Sequence, residues 1–155
     1  MKKKLIIFIL FIAMLTACGT TTSNEESSNT NTNQNEITKE YSNLKIVDYK
    51  QVTQRILYRD TFVLIGTQTS CSHCARYKPV LNRVLAKYDI VGLELDFERL
   101  DDDTFDTALD ALNIETTPQT LFFVDGVEQT KYRLDGEVSE KEIEEALKAL
   151  GFVGD

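Results

Sequence analysis

The chain holds 155 residues, 42% of them hydrophobic and 27% charged, enough apolar material for one core of ordinary size and too little for two packed domains. Acidic residues outnumber basic ones 25 to 17, and three of the basic ones, Lys2, Lys3 and Lys4, crowd the N-terminus. So acidic a body repels phosphate backbones, and no Arg/Lys cluster with interleaved aromatics offsets this, which excludes nucleic acid as a partner.

The three lysines open a run of apolar residues from Leu5 to Leu15, followed by Thr16, Ala17 and Cys18. A charged start, a short apolar stretch and small residues at its end is the layout of an export signal. At about 1.5 Å per residue, some eleven residues of helix cover roughly half of a ~30 Å hydrocarbon core, so the run is too short for a permanent span. Leu15, Thr16, Ala17 and Cys18 resemble the bacterial lipoprotein box. That resemblance implies cleavage before Cys18, a diacylglyceryl group on its sulfur, and a location on the extracytoplasmic face of the cell membrane.

From Gly19 to Glu36 the chain is almost wholly Thr, Ser, Asn, Gln and Glu, which cannot bury enough surface to offset the entropy of ordering. The expected organisation is a signal peptide at 1–17, a lipidated N-terminus and polar tether at 18–43, and one domain at 44–155. Within that domain Lys45 to Val47 is β-like and Val52 to Tyr58 weakly helical. Phe62 to Ile65 is an unbroken apolar run of strand length, as expected for a strand covered on both faces. Tyr77, Leu81, Val84, Leu85 and Tyr88 then recur at helical spacing.

Val91 to Phe97 is the next strand, and Asp101, Asp102 and Asp103 place negative charge at the start of a helix bearing Phe105, Ala108, Leu109 and Leu112. Thr120 to Val124, the turn Asp125-Gly126 and Val127 to Leu134 form an expected hairpin. In the last helix Ser139 and Glu142 make a capping box, Ile143, Ala146, Leu147 and Leu150 share a face, and Gly151 ends it. The order β, α, β, α, β, α, β, β, α specifies an α/β fold with a mixed central sheet flanked by helices on both faces.

Cys71-Ser72-His73-Cys74 falls where the strand Phe62 to Ile65 gives way to the helix carrying Tyr77. A helix start gathers free amide N–H groups and the positive end of the peptide dipoles, which favours a thiolate at the first cysteine. Cys71 is the candidate nucleophile. Cys74, one turn further in, is placed to attack a mixed disulfide formed at Cys71. Zinc needs four ligands, and one histidine with two cysteines supplies three, so no metal is expected. The aspartate run is read as a helix cap rather than a calcium site.

The strand, Cys-x-x-Cys and helix, Pro79 eight residues after Cys71, and Thr117-Pro118 followed by a strand and Asp-Gly turn together resemble the thioredoxin superfamily. The resemblance implies a thioredoxin-like fold over about Leu44 to Gly151 and a kink at Pro79. It also implies a cis bond before Pro118, and a platform at Thr117 and Pro118 whose backbone pairs with the substrate chain. The tether and the Thr-Ser-Cys-x-x-Cys context are similar to thioredoxin-like accessory proteins of Gram-positive bacteriocin and peptide export. Two departures bear on direction. Ile65 stands where thioredoxins hold a buried carboxylate that serves reduction, and His73 before the second cysteine resembles oxidising enzymes in which it stabilises the thiolate.

The resulting expectation is a membrane-anchored, extracytoplasmic thiol-disulfide oxidoreductase. It would be monomeric and cofactor-free, with Cys71 and Cys74 catalytic, Ser72, His73, Thr117 and Pro118 tuning or binding, and Cys18 lipidated. Its partners would be thiol- or disulfide-containing exported proteins or peptides and a membrane or extracytoplasmic redox partner. The alternatives are an extracytoplasmic reductase and a non-catalytic peptide- or exporter-binding accessory with a structural disulfide.

Overall fold

The computed structural model describes residues 42–154. The expected signal peptide, Cys18 and nearly all of the tether lie outside the described residues. From Leu44 onward the strands are β1 (Leu44–Val47), β2 (Phe62–Thr67), β3 (Gly92–Asp96), β4 (Gln119–Val124), β5 (Val127–Glu128) and β6 (Leu134–Asp135). The helices are α1 (Tyr49–Leu57), α2 (Ser72–Lys87), α3 (Asp102–Leu112) and α4 (Glu140–Ala149). The sheet runs β1-β3-β2-β4-β5, with β6 also paired to β4. β3 is parallel to both β1 and β2, whereas β4 is antiparallel to β2, β5 and β6. This is the mixed sheet that the element order specifies.

Alternation along β2 sorts the core into two layers. Val63 and Ile65 join Tyr77, Leu81, Val84 and Leu85 of α2 and Ile143 and Leu147 of α4 on one face. Phe62 and Leu64 join Val52 of α1 and Ala108 and Leu112 of α3 on the other. Every residue of β2 is buried, which is why its sequence shows no polar alternation. Each fully buried Leu, Ile or Phe contributes about 1.5–3 kcal/mol.

Local chemistry sets the ends of the elements. Asp48 caps α1 with Gln51 reaching back, Asp101 caps α3 through the Thr104 amide, and Ser139 with Glu142 caps α4. The β4–β5 turn has Asp125 at φ 51° and Gly126 at φ 75°. A side chain at Gly126 would put Cβ 2.4 Å from the Ile56 carbonyl oxygen, so only glycine fits against α1 there.

One expected element differs. Val127 to Leu134 is not a continuous strand but two residue pairs, β5 and β6, separated by a 3₁₀ turn at Thr130–Tyr132. The cause is Arg133. Its guanidinium grips Glu128 of the edge strand β5 and donates to the Leu112 and Asn113 carbonyls at the end of α3. Those carbonyls have no helical partner, and an arginine at a helix C-terminus satisfies both the bonds and the dipole. The alternating pattern of the segment carries no trace of this bond. The helix containing Pro79, by contrast, runs unbroken through it.

Candidate active site

Four residues join the C-terminal end of β2 to α2, and carboxylates at and just after the end of β3 hold them. Thr69 donates its amide and its hydroxyl to Asp96, at 3.2 and 2.5 Å. Ser70 donates its amide to Glu98 at 2.9 Å and its hydroxyl to the same carboxylate. The Cys71 amide donates to the Gln68 carbonyl at 3.1 Å. The loop therefore delivers Cys71 to the N-cap position of α2 with little freedom.

At that position the sulfur takes over the task of a capping oxygen. Cys71 Sγ accepts from the Cys74 amide at 3.1 Å. The first turn of α2 holds no acidic side chain of its own. Cys71 is partly exposed and Cys74 is 1% exposed. The two are joined as a disulfide with Cα atoms 5.3 Å apart. Only the first sulfur faces a partner from outside.

Thr117 and Pro118 stand beside the disulfide. The bond between them is cis, and the Thr117 carbonyl oxygen is 3.5 Å from Cys71 Sγ, within reach of a reduced thiol as donor. The Thr117 hydroxyl donates to the Gln68 side-chain oxygen at 3.2 Å. Pro118 is buried and Thr117 half-buried. Ser72 and His73 are exposed.

His73 is held by a residue the sequence did not single out. Its Nδ1 lies 2.6 Å from Glu137 and 3.0 Å from Arg76 Nη2. Arg76 grips the same carboxylate through Nε and Nη2. These hydrogen bonds, Arg76 first and His73 second, hold the Glu137 carboxyl below its ordinary value, and Glu137 in turn raises Arg76. The imidazole is thus tied to the loop after β6 and to a carboxylate.

A second residue that the sequence did not single out changes the meaning of Ile65. Ile65 is apolar and buried, but its register partner on β3 is Glu94, which is 4% exposed. Glu94 accepts from the Thr67 hydroxyl at 2.8 Å and pairs with Lys78 at 2.9 Å. Lys78 stands one helical turn beyond Cys74 on α2, so the sheet face beneath α2 does hold a buried carboxylate, supplied by the adjacent strand. The register of β2 on β3 puts it there, and no local pattern in the sequence announces it.

Nearby, Tyr77 is buried and donates to or accepts from Thr120 at 3.0 Å. Burial pushes its phenol up to about 12, so it stays neutral and acts as core. Among the described residues no group of three His, Cys, Asp or Glu side chains is arranged to hold a metal ion, and no helix is long and apolar enough to cross a membrane.

What this end of the sheet offers chemically is electron exchange through one sulfur–sulfur bond, and the protein is a thiol-disulfide oxidoreductase on a thioredoxin-like scaffold. The chain belongs to the thioredoxin family, whose sequence pattern it matches over residues 43–149. Solved structures agree on the fold. Mitochondrial thioredoxin 3 of Saccharomyces cerevisiae, in its oxidised form, is similar with a TM-score of 0.56 at 16% identity, covering 74% of this chain and 99% of that one. Thioredoxin O2 of Arabidopsis thaliana, also oxidised, is similar with a TM-score of 0.55 at 19% identity, covering 70% and 95%. A thioredoxin variant of Halobacterium salinarum reaches 0.59 at 14% identity, covering 74% and 96%.

Proposed function

We propose that this thiol-disulfide oxidoreductase works outside the cytoplasm, tethered to the membrane through lipidated Cys18, and that it oxidises or isomerises disulfides of exported proteins or peptides. The observation that carries the catalytic assignment is the Cys71 sulfur at the helix start, accepting the Cys74 amide beside the Thr117 carbonyl. The lipoprotein-like segment ending at Cys18 supports the location.

In the oxidising direction a client thiolate attacks Cys71 Sγ. The Cys71–Cys74 bond breaks and its electron pair leaves on Cys74, which takes up a proton. A second client thiolate then attacks the client sulfur of the mixed disulfide and releases Cys71 as a thiolate. Two electrons have passed from client to protein, and a membrane or extracytoplasmic disulfide partner must remove them. The amide of Cys74 stabilises the leaving Cys71 thiolate, which makes the protein disulfide more oxidising. Each pKa unit of such stabilisation corresponds to about 30 mV. His73, positioned by Glu137, Thr117 and Pro118 flank the exchange, and Ser72 contributes the first residue of the helix.

A second reading, a reductase, is favoured by one observation: the face beneath α2 holds a buried carboxylate, Glu94, paired with Lys78 one turn beyond Cys74. A non-catalytic accessory role is supported by nothing specific in the site. The experiment that decides is a trap in cells with Cys74→Ala in the full-length chain. The proposal expects Cys71 to be found in mixed disulfides with exported clients in the membrane fraction, and the Cys18→Ser variant to leave that fraction. A reduction potential as low as that of cytosolic thioredoxin, near about −270 mV, would favour the reductase instead.

A further inference from the structure

The loops of this fold divide between the two ends of the sheet. Because β1, β2 and β3 run parallel, their C-terminal ends share the end that carries Cys71, and their N-terminal ends share the other. That far end gathers Asn43 before β1, the end of α1 and Thr61 before β2, and Val91 before β3. Because β4 runs back against β2, the turn Asp125-Gly126 and the start of β5 lie there too. The pieces are bonded together. The Asn43 carbonyl accepts the Gly92 amide, its side chain donates to the Ile90 carbonyl, and the Gly126 amide donates to the Asp60 carbonyl.

The described residues expose five large apolar side chains, and four of them, Leu57, Tyr58, Val91 and Val127, stand at this far end. The fifth, Ile46, is on the edge strand β1. Leu57 is 77% exposed and Tyr58 73%, at the close of α1. Their backbone is fixed: the Tyr58 amide donates to the Gln54 carbonyl, and Arg59, at φ 59°, closes the turn onto the Ile56 carbonyl. The two side chains therefore project from a rigid mount and give up little freedom on contact.

Charge divides the same way. The stretch from Asp96 to Glu115, which leads from the redox end of β3 through α3 towards Thr117, holds eight acidic residues and one basic one, Arg99. The far end sets Arg55 and Arg59 against Asp60, Asp89 and Asp125, close to balance. Behind Leu57 and Tyr58, the side chains of Gln51, Gln54, Arg55 and Asp60 line a hollow of some 260 Å³. Apolar tips with a tyrosine among them, backed by polar groups and a cation, match the layering of the acyl–headgroup boundary, where tyrosine is enriched. A second copy of the chain fits less well: a stable interface takes about 800 Å² per partner, and four such side chains supply roughly half of that or less.

We propose that this end of the molecule rests on a lipid surface, with Leu57, Tyr58 and Val127 in the interfacial layer and Cys71 directed away from the bilayer. This builds on the reading that lipidated Cys18 anchors the chain, and adds the face that the domain turns to the membrane. Cys18 and Ser42 stand 24 positions apart, at most about 86 Å of extended chain, so the connection neither forces contact nor prevents it. It enters the fold through Asn43, at the apolar end. An anchored domain meets the bilayer at high effective concentration, which lets a patch too small for free binding hold. Clients and the redox partner then reach Cys71 from the aqueous side.

The chain has no tryptophan, so one introduced residue reports alone. Full-length protein is recovered from cell membranes as Tyr58→Trp, or as Glu115→Trp at an exposed position near the redox end. Each is placed in phosphatidylcholine vesicles whose acyl chains are either unmodified or brominated near the headgroup. Tyr58→Trp should emit at shorter wavelength than Glu115→Trp and lose about half its intensity to bromine, as for a ring held ~5–10 Å into the interface. Glu115→Trp should lose none. Adding Leu57→Asp to Tyr58→Trp should abolish the quenching while the chain stays on the vesicles and its thermal melt is unmoved. Unquenched Tyr58→Trp emission from vesicle-bound chain would overturn the lipid-facing end and leave the anchor standing. A blue shift that bromine does not quench, with cross-linking at twice the chain mass, would assign this end to a second copy and overturn it as well. Recovery of the chain from the soluble fraction of the cells would remove the anchor, and the lipid-facing end with it.

Discussion

The N-termini of α2 and α4 solve the same local problem with opposite consequences. Each helix begins with amide donors that lack helical acceptors and with the positive end of its dipole. At α4 the Ser139 hydroxyl and the Glu142 carboxylate absorb both, with Glu140 adding charge in the first turn. At α2 the cap is the Cys71 sulfur, and no acidic residue follows in the first turn. One helix start is neutralised and serves stability. The other carries no acidic side chain of its own in the first turn, and its cap is a sulfur.

The comparison breaks most sharply at the sulfur itself. Cys71→Ser keeps an atom able to cap the helix but removes the exchangeable bond. Turnover with disulfide substrates should fall by roughly three orders of magnitude or more while the unfolding midpoint moves little, as seen by parallel insulin-reduction assays and thermal melts. At α4 the expectation reverses. Ser139→Ala should cost about 1 kcal/mol of stability by denaturant titration and leave the reduction potential unchanged.

A smaller change sharpens the contrast by making α2 resemble α4. Ser72→Asp puts a carboxylate into the first turn beside the sulfur. It opposes the thiolate by about 0.3–1 kcal/mol and should lower the reduction potential by about 6–21 mV against a glutathione buffer, with no loss of helix content. Smallest is the pH response of the loop holding His73. Because Arg76 and then His73 hold the Glu137 carboxyl below its ordinary value, this tie contributes above the unfolded carboxylate pKa of about 4.3. It is lost only as pH falls through the lower folded value. A carboxyl-carbon NMR titration should show that midpoint rising in Arg76→Ala.

Much of this contrast is legible in the sequence, because caps are local: Ser139 and Glu142 stand three apart, and Cys71 and Cys74 do the same. Strand and helix order follows from equally local patterns such as Phe62 to Ile65. What escapes is whatever depends on pairing distant segments. Glu94 reaches the face beneath α2 only through the register of β3 on β2, and Glu137 meets His73 only because the loop after β6 folds back over α2. Arg133 splits an expected strand by bonding carbonyls at the end of α3, some twenty residues earlier.

The central claim is that the start of α2, capped by sulfur and without an acidic residue in its own first turn, makes the Cys71 thiol unusually acidic. The direct measurement is the rate of iodoacetamide alkylation of reduced protein across a pH series, with Cys74→Ala to isolate one sulfur. The account predicts a midpoint for Cys71 well below the ~8.5 of a free thiol, shifting upward in Ser72→Asp. A midpoint at the free-thiol value, unmoved by Ser72→Asp, would contradict it.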